Sequence, residues 1–385
     1  KLYGLLLFYY LQQNTLKRKG IHSKMKIIHI VLGKANPNRM NGVNKVVHNL
    51  ATTQVELGHK VQVIGLTNSS ENDNFDRSYD LKIFPRKNIN LDEKLIKYIK
   101  SIDRFTIFHI HDGFILDFYF ISKLLYKQNF RYIHTSHGCY NKEAMKKNFL
   151  KKYIFFKIFD KYILENAWKV QFLGKSEFIY IDSMVKNINK IIIPNGQDLN
   201  ELKFEYKNLK NDDDLIFGFV GRIDKFHKGL DLLIEGYKIY KEQNGKAKLW
   251  IVGDGQDLEY LKKYTKENNL QDFVTFFGSK FGSEKLNLMK NMDVFIHTSR
   301  FAGFPMAILE SFGLNVPILI SDETNVGEYV TKYNVGILLK ENTPSEISKE
   351  MLNLNKNIIN QWKKNIPNMV STEFMWPELS KRIVE

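Results

Sequence analysis

One cysteine, Cys139, stands among 385 residues, so the chain cannot close an internal disulfide and fits a reducing compartment. Cys139 lies two residues after His137 and reads as a small half-buried thiol rather than as half of a Cys–His nucleophile pair. Equally missing is any run of the ~18 apolar residues that a spanning helix needs. The opening apolar run, 2–11, is too short, and its charges Lys17-Arg18-Lys19 follow it, the reverse of a secretory signal. Residues 1–24 therefore read as an extension outside the fold, with an interfacial anchor as the alternative, and the first domain starts at Met25. Low-complexity segments and short-period repeats are also absent, which leaves ordinary globular domains.

The length is comfortable for two domains, each able to bury a core, and the hydrophobic share of 43% is ordinary. The net charge of +15 is unevenly placed. Residues 1–205 hold 33 Lys+Arg against 18 Asp+Glu, whereas residues 206–385 hold 24 of each. An excess confined to one half points to one surface meeting a polyanion.

Short β-branched runs alternate with helical patterns throughout, the mark of parallel α/β sheets. In the first half the spacing predicts strands at 26–31, 61–66, 81–84, 106–110, 131–135, 169–172 and 190–193, and a helix at 43–57 closed by Gly58. The alternation restarts with strands at 215–220, 248–252, 274–277, 294–297 and 317–320. Helices at 229–243, 256–268, 283–291, 305–313 and 344–354 separate them. The change-over falls in the polar stretch 198–214, which carries Asp212-Asp213-Asp214. Two Rossmann-like domains facing across a cleft follow, with ligands expected at the carboxyl ends of the strands.

The strand at 215–220 runs into Gly221-Arg222-Ile223-Asp224, and Lys228-Gly229 follows at a helix start. Two cations beside a helix N-terminus suit a diphosphate, because free N–H groups and positive charge both stabilise an anionic leaving group. After the strand at 294–297 comes Ser299-Arg300-Phe301-Ala302-Gly303-Phe304-Pro305, which leads through Pro305 into a helix carrying Glu310 between Leu309 and Phe312. A carboxylate in that apolar setting suits ribose hydroxyls. His109, His111, His134 and His137 sit on strands at alternating positions without accompanying acidic ligands, so no metal is expected. Gly253-Asp254-Gly255 lacks the third glycine of a dinucleotide fingerprint, since Leu258 stands there.

The ordered set Gly221-Arg222…Lys228-Gly229, Gly253-Asp254-Gly255, Phe276-Phe277-Gly278, Gly303-Phe304-Pro305…Glu310 and Gly336 resembles glycosyltransferase family 4. The first half agrees through Pro194-Asn195-Gly196, the His-containing strand at 106–112 and His134–Gly138, which looks like the family's Thr-x-His-Gly strand end. Phe374-Met375-Trp376 matches its last segment. The resemblance covers about residues 25–385. It implies a GT-B fold with a first, acceptor domain at 25–200 and a nucleotide-sugar donor domain at 201–365. A C-terminal segment, 366–385, would return to the first domain.

The same resemblance implies a retaining, metal-independent enzyme with no cofactor beyond its nucleotide-sugar substrate. Arg222 and Lys228 match the pair that grips the donor diphosphate, Glu310 the glutamate that binds the ribose, and His137 the histidine that contacts the donor sugar. Gly42, in Asn41-Gly42-Val43, matches a phosphate-side glycine loop, although the family usually has two glycines there. Asn195, Gly303 and Phe304 complete the expected substrate-binding set. One departure stands out: the first glutamate of the family's paired-glutamate motif falls on Ala302. Loss of that contact typically costs ~10²-fold or more in rate, so Ala302 implies a natural divergence, a weakened enzyme or an inactivated version of an active parent, and the clean fit around it favours the last two.

On the acceptor side, the segment 146–162 interleaves lysines with Phe149, Tyr153, Phe156 and Phe159 at helical spacing, which reads as a surface for an anionic membrane, with aromatics in the core and lysines on a solvated face as the alternative. The expected partners are a nucleotide sugar, UDP- ahead of GDP-linked, and a glycan or lipid-linked acceptor of bacterial cell-surface polysaccharide synthesis. The expected place is the cytoplasmic, inner face of the membrane. No nucleic-acid recognition motif accompanies the charge, and no pyridoxal-binding lysine of a phosphorylase is identifiable. A nucleotide-sugar-binding protein without turnover is the alternative, favoured by Ala302.

Overall fold

The computed structural model describes residues 24–37, 42–70, 76–87, 89–146, 148–186, 188–199, 202–211 and 215–385. Apart from Lys24, the expected extension 1–24 lies outside the described residues, as do Asn41, Lys147 and the triplet Asp212-Asp213-Asp214.

Two parallel sheets form the frame. The first holds β1 (Lys26–Leu32), β2 (Lys60–Leu66), β3 (Asp80–Phe84), β4 (Ile107–His111), β5 (Arg131–Thr135), β6 (Lys169–Phe172) and β7 (Lys190–Ile192). Their spatial order is β3-β2-β1-β4-β5-β6-β7. The second holds β8 (Ile216–Val220), β9 (Lys248–Val252), β10 (Val274–Phe276), β11 (Val294–His297), β12 (Ile318–Ile320) and β13 (Gly336–Leu338), in the order β10-β9-β8-β11-β12-β13. Every residue of β4, β8 and β11 is buried. Near-continuous apolar runs are what strands covered on both faces require. The order reverses beside β1 and β8, so the crevices open at the carboxyl ends of these strands.

Each predicted strand exists, with ends shifted by a residue or so. The fourth starts at Ile107 because the Thr106 N–H is spent on Asp103 O in the preceding turn. Strand β13 escaped the sequence reading: it has three half-buried residues and begins on a glycine. Helices at Glu93–Lys100, Leu116–Lys127 and Lys175–Met184 were likewise not anticipated.

Five helices position the site and join the domains: α1 (Gly42–Glu56), α2 (Leu230–Glu242), α3 (Met306–Gly313), α4 (Lys356–Glu373) and α5 (Trp376–Val384). Pro305 itself is extended (φ −65°, ψ 124°), so α3 begins one residue later than the sequence suggested. The chain crosses back at the end of α4. The Gln197 N–H donates to Phe374 O at 2.7 Å, and Gln197 pairs in parallel with Met375. A side chain at Gly196 would meet the Trp376 ring at 2.5 Å, so only glycine lets the indole seat there. Helix α5 then packs on α1. One continuous core cluster includes Ile27 and Val46 of the first domain with Phe295, Phe312 and Trp376.

Candidate functional site

The loop after β8 turns into a four-residue helical segment, Lys225–Lys228, capped by Asp224, whose Oδ1 accepts the His227 N–H at 3.0 Å. Arg222 is held to this turn: its Nη2 donates to Asp224 Oδ2 at 3.3 Å and to His227 Nδ1 at 3.0 Å. Burial lowers the His227 pKa to about 4, with Lys228 and Arg222 adding to it, so the ring is a neutral acceptor, stacked on Phe301 at 4.1 Å. Gly229 has φ +62° and lies so close to Thr298 that a Cβ would sit 1.9 Å from its carbonyl oxygen. That contact brings Lys228 against the loop after β11. Half-buried, Lys228 has its pKa lowered to about 8 by burial and by Arg222, against the pull of Asp224.

The loop after β11 is clamped from several sides. Arg300 makes a bidentate pair with Asp231 of α2, both contacts at 2.8 Å. Asn325 Nδ2 donates to Ala302 O (3.1 Å) and Gly303 O (2.7 Å), and the Ala302 N–H donates to Glu323 O at 3.1 Å. From the first domain, Asn195 Nδ2 reaches Phe304 O at 3.0 Å. Gly138, with φ +87°, lies on the backbone of Gly303; a Cβ there would stand 2.4 Å from Gly303 Cα. The two domains thus touch backbone to backbone, beside Ala302.

Two adjoining cavities fill the cleft, sharing Gly42 and Met306 in their walls. The first, about 430 Å³, is lined by Lys45, Arg222, Lys280, Lys285, Phe281 and Glu310 among others. Four cations, one carboxylate and an aromatic ring that is 42% exposed suit a polyanion bearing a ribose and a flat base. The second, about 380 Å³, is lined by His137, Asn195, Lys228, Ala302, Gly303 and Phe304 among others. The sequence-predicted residues are therefore gathered in one cleft, distributed between two compartments. Phe304 contributes wall: it is buried, with its ring against Tyr329 and Phe374. Asn195 docks the domains through its bond to Phe304. Cys139 lines the second cavity too, and burial raises its thiol pKa, so it stays protonated and inert.

Glu310 is 2% exposed and is not a lone carboxylate. Its Oε1 meets Lys45 Nζ across the cleft at 2.6 Å, and Lys285 Nζ lies 2.7 Å from Oε2. Burial pushes the carboxyl up, but the two ammoniums outweigh it and hold the pKa down at about 2. Sequence reasoning missed both lysines. Lys45 stands three residues after Gly42, within the first turn of α1, which was the available signal; Lys285 offered none.

His137 sits on the turn after β5 with φ 53°, and a buried Glu177 fixes that turn by accepting the Gly138 and Tyr140 N–H groups at 3.3 and 2.9 Å. His137 Nε2 bonds His111 Nδ1 at 3.0 Å. Among the described residues one group, His29, His109 and His111, has ring nitrogens within 4.8 Å of one another. Both nitrogens of His29 and of His111 already engage in hydrogen bonds, so the donor set fits a hydrogen-bonded file better than a metal.

The segment 146–162 is not one regular helix. Phe149–Phe155 is α-helical, Phe156–Asp160 is a π-turn, and Lys161–Glu165 resumes the α-helix. Phe156 is core, Phe159 is half-buried against Tyr119, and Phe149 and Tyr153 are exposed. No helix among the described residues is long and apolar enough to cross a membrane.

Comparison with known proteins agrees with this arrangement. Residues 40–201 match the family described as Glycosyltransferase Family 4, and residues 200–369 match Glycosyl transferases group 1. An uncharacterized glycosyltransferase of Methanocaldococcus jannaschii is 30% identical over 274 residues, covering 68% of this chain and 69% of the relative. The capsular polysaccharide biosynthesis glycosyltransferase CapM of Staphylococcus aureus is 27% identical over 192 residues, 47% of this chain and 49% of CapM. Among solved structures, Anabaena Alr3699/HepE in complex with UDP and glucose superposes with a TM-score of 0.72 at 15% identity, over 94% of this chain and 98% of that one. Two parallel-sheet domains closing on a cationic cleft, matched by these families over residues 40–369, place the chain in glycosyltransferase family 4: it is a GT-B glycosyltransferase.

Proposed function

We propose that the chain is a retaining, metal-independent transferase that moves a sugar from a UDP-sugar onto a glycan or lipid-linked acceptor at the cytoplasmic face of an anionic membrane. The carrying observation is the pair of adjoining cavities. A nucleoside diphosphate fits the first, between Lys45, Arg222 and Lys285, with its ribose towards Glu310; the sugar then falls in the second, by His137 and Lys228. The UDP held by the Anabaena neighbour supports uridine over guanosine, and CapM supports a cell-surface polysaccharide as the product class. No protein nucleophile is needed. Arg222, Lys228 and the N-terminus of α1 at Gly42 neutralise the departing diphosphate as the anomeric bond breaks, and the acceptor hydroxyl attacks the same face. The closed cleft excludes water from that step.

Ala302 favours a second reading, a catalytically weakened or inactivated nucleotide-sugar-binding protein, because it lines the sugar cavity where the family carries a carboxylate. Calorimetry with UDP, GDP and ADP, followed by turnover of labelled UDP-sugars, separates these. Arg222→Ala is expected to weaken UDP binding or transfer by roughly 2–5 kcal/mol. Unchanged binding and kinetics remove Arg222 from the role. Tight UDP binding with no turnover on any acceptor leaves the second reading.

A further inference from the structure

Three histidines run as a hydrogen-bonded file through the buried face of the first sheet and end in the sugar cavity. Gln54 of α1 starts the file, its Oε1 lying 2.7 Å from His29 Nε2. His29 Nδ1 is 2.9 Å from His111 Nε2, and His111 Nδ1 is 3.0 Å from His137 Nε2. Gln54, His29 and His111 are all buried, while His137 is half-buried and lines the cavity.

A neutral imidazole has one N–H and one lone pair, so each ring that donates on one side must accept on the other. The file therefore has a single sense, set at its closed end. The Gln54 oxygen only accepts, which puts the His29 proton on Nε2. His29 Nδ1 then accepts from His111 Nε2–H, and His111 Nδ1 accepts from His137 Nε2–H. The one nitrogen left for a molecule in the cavity, His137 Nδ1, carries a lone pair.

We propose that Gln54, His29 and His111 are positioning residues that fix His137 as its Nε2–H tautomer, so that Nδ1 meets the transferred sugar as a hydrogen-bond acceptor and selects donors with a hydroxyl aimed at it. This rests on the transferase reading of the cleft. Burial keeps every ring neutral: it lowers the pKa of His29 to about 4 and of His137 to about 3, and holds His111 well below its ordinary value. A cationic ring would supply two donors and break the sense of the file; at neutral pH none forms. His137 also holds a left-handed backbone, φ 53°, which a non-glycine residue adopts only when its surroundings fix it.

The test combines a tautomer measurement with a split in affinity. In the full-length protein with nitrogen-15-labelled histidine, the His137 signals, assigned by their loss in His137→Asn, should show a protonated Nε2 and a bare Nδ1. A protonated Nδ1 overturns the proposal, and this holds whether or not the Gln54 and His111 variants fold. Gln54→Leu and His111→Phe should each mix the two tautomers of His137. Each should weaken the tightest binder among UDP-glucose, UDP-galactose and UDP-N-acetylglucosamine about ten-fold, the scale of one hydrogen bond. Binding of UDP alone should hold. Equal losses for UDP and the UDP-sugar in a folded variant mean a merely structural role and refute the proposal. If wild-type protein binds no UDP, the transferase reading fails instead, and the tautomer signal still decides the file.

Discussion

Single side chains decide the chemistry, and two of them give sharp expectations. Ala302 is 7% exposed, in a loop clamped by Asn325 and Arg300, and it faces the second cavity. A glutamate there would reach that cavity from a fixed base, so Ala302→Glu should raise turnover about 10²-fold; an unchanged rate under saturating donor and acceptor would show that Ala302 is not a lesion. Lys228, with its pKa lowered to about 8, is charged below that pH and neutral above it. The pH profile of kcat/KM, which reports the free enzyme, should therefore fall as pH rises through about 8. Lys228→Arg should move that limb upward, because a guanidinium keeps its charge. Arg222 and Lys228 were legible in the sequence because they follow a strand, where α/β sheets present ligand contacts, and Glu310 because it is a carboxylate set among apolar residues on the helix after β11. Lys45 offered only its place three residues after Gly42: it lies 265 positions from Glu310, and no local spacing reports a contact made only by domain closure.

Elements set the surface that the first domain presents beside the cleft. In the segment 146–162 the structure replaces the uniform basic helix that the sequence suggested with α-turns broken by a π-turn, the register change that buries Phe156 and Asp160. What remains outside is apolar as well as basic. Leu150 is 68% exposed, Ile154 and Ile158 are 49% and 56% exposed at four-residue steps, and Phe149 stacks on Tyr153 beside them. Such a ridge among lysines is suited to enter the headgroup region of a bilayer. The double variant Leu150→Asp/Ile154→Asp should abolish sedimentation with phosphatidylglycerol vesicles, and wild-type binding should weaken at high salt. Equal binding to neutral vesicles would count against the surface. The central strands were readable almost to the residue because parallel strands covered on both faces are near-continuously apolar. The short edge strand β13 was not, since three half-buried residues starting at a glycine carry no periodicity.

At the scale of the whole molecule, the two sheets behave as one body. The return through Phe374 and Trp376, the glycine contact at 138 and 303, and the core cluster shared by both halves hold the cleft shut. The sequence indicated two domains and a returning tail, but not how closely their faces meet, because that depends on glycines whose missing side chains become meaningful only in three dimensions. The Lys45–Glu310 contact spans that closed seam, and it has a consequence for the order in which ligand parts count. The carboxylate that would receive a sugar ring's hydroxyls is already taken by two ammoniums, and neutral hydroxyls alone compete poorly with such partners. An arriving diphosphate offers those ammoniums a substitute anion in the same chamber. Uridine should accordingly bind at least 10³-fold more weakly than UDP by calorimetry, about 4 kcal/mol, and comparable affinities would mean that the phosphates do not unlock the ribose seat.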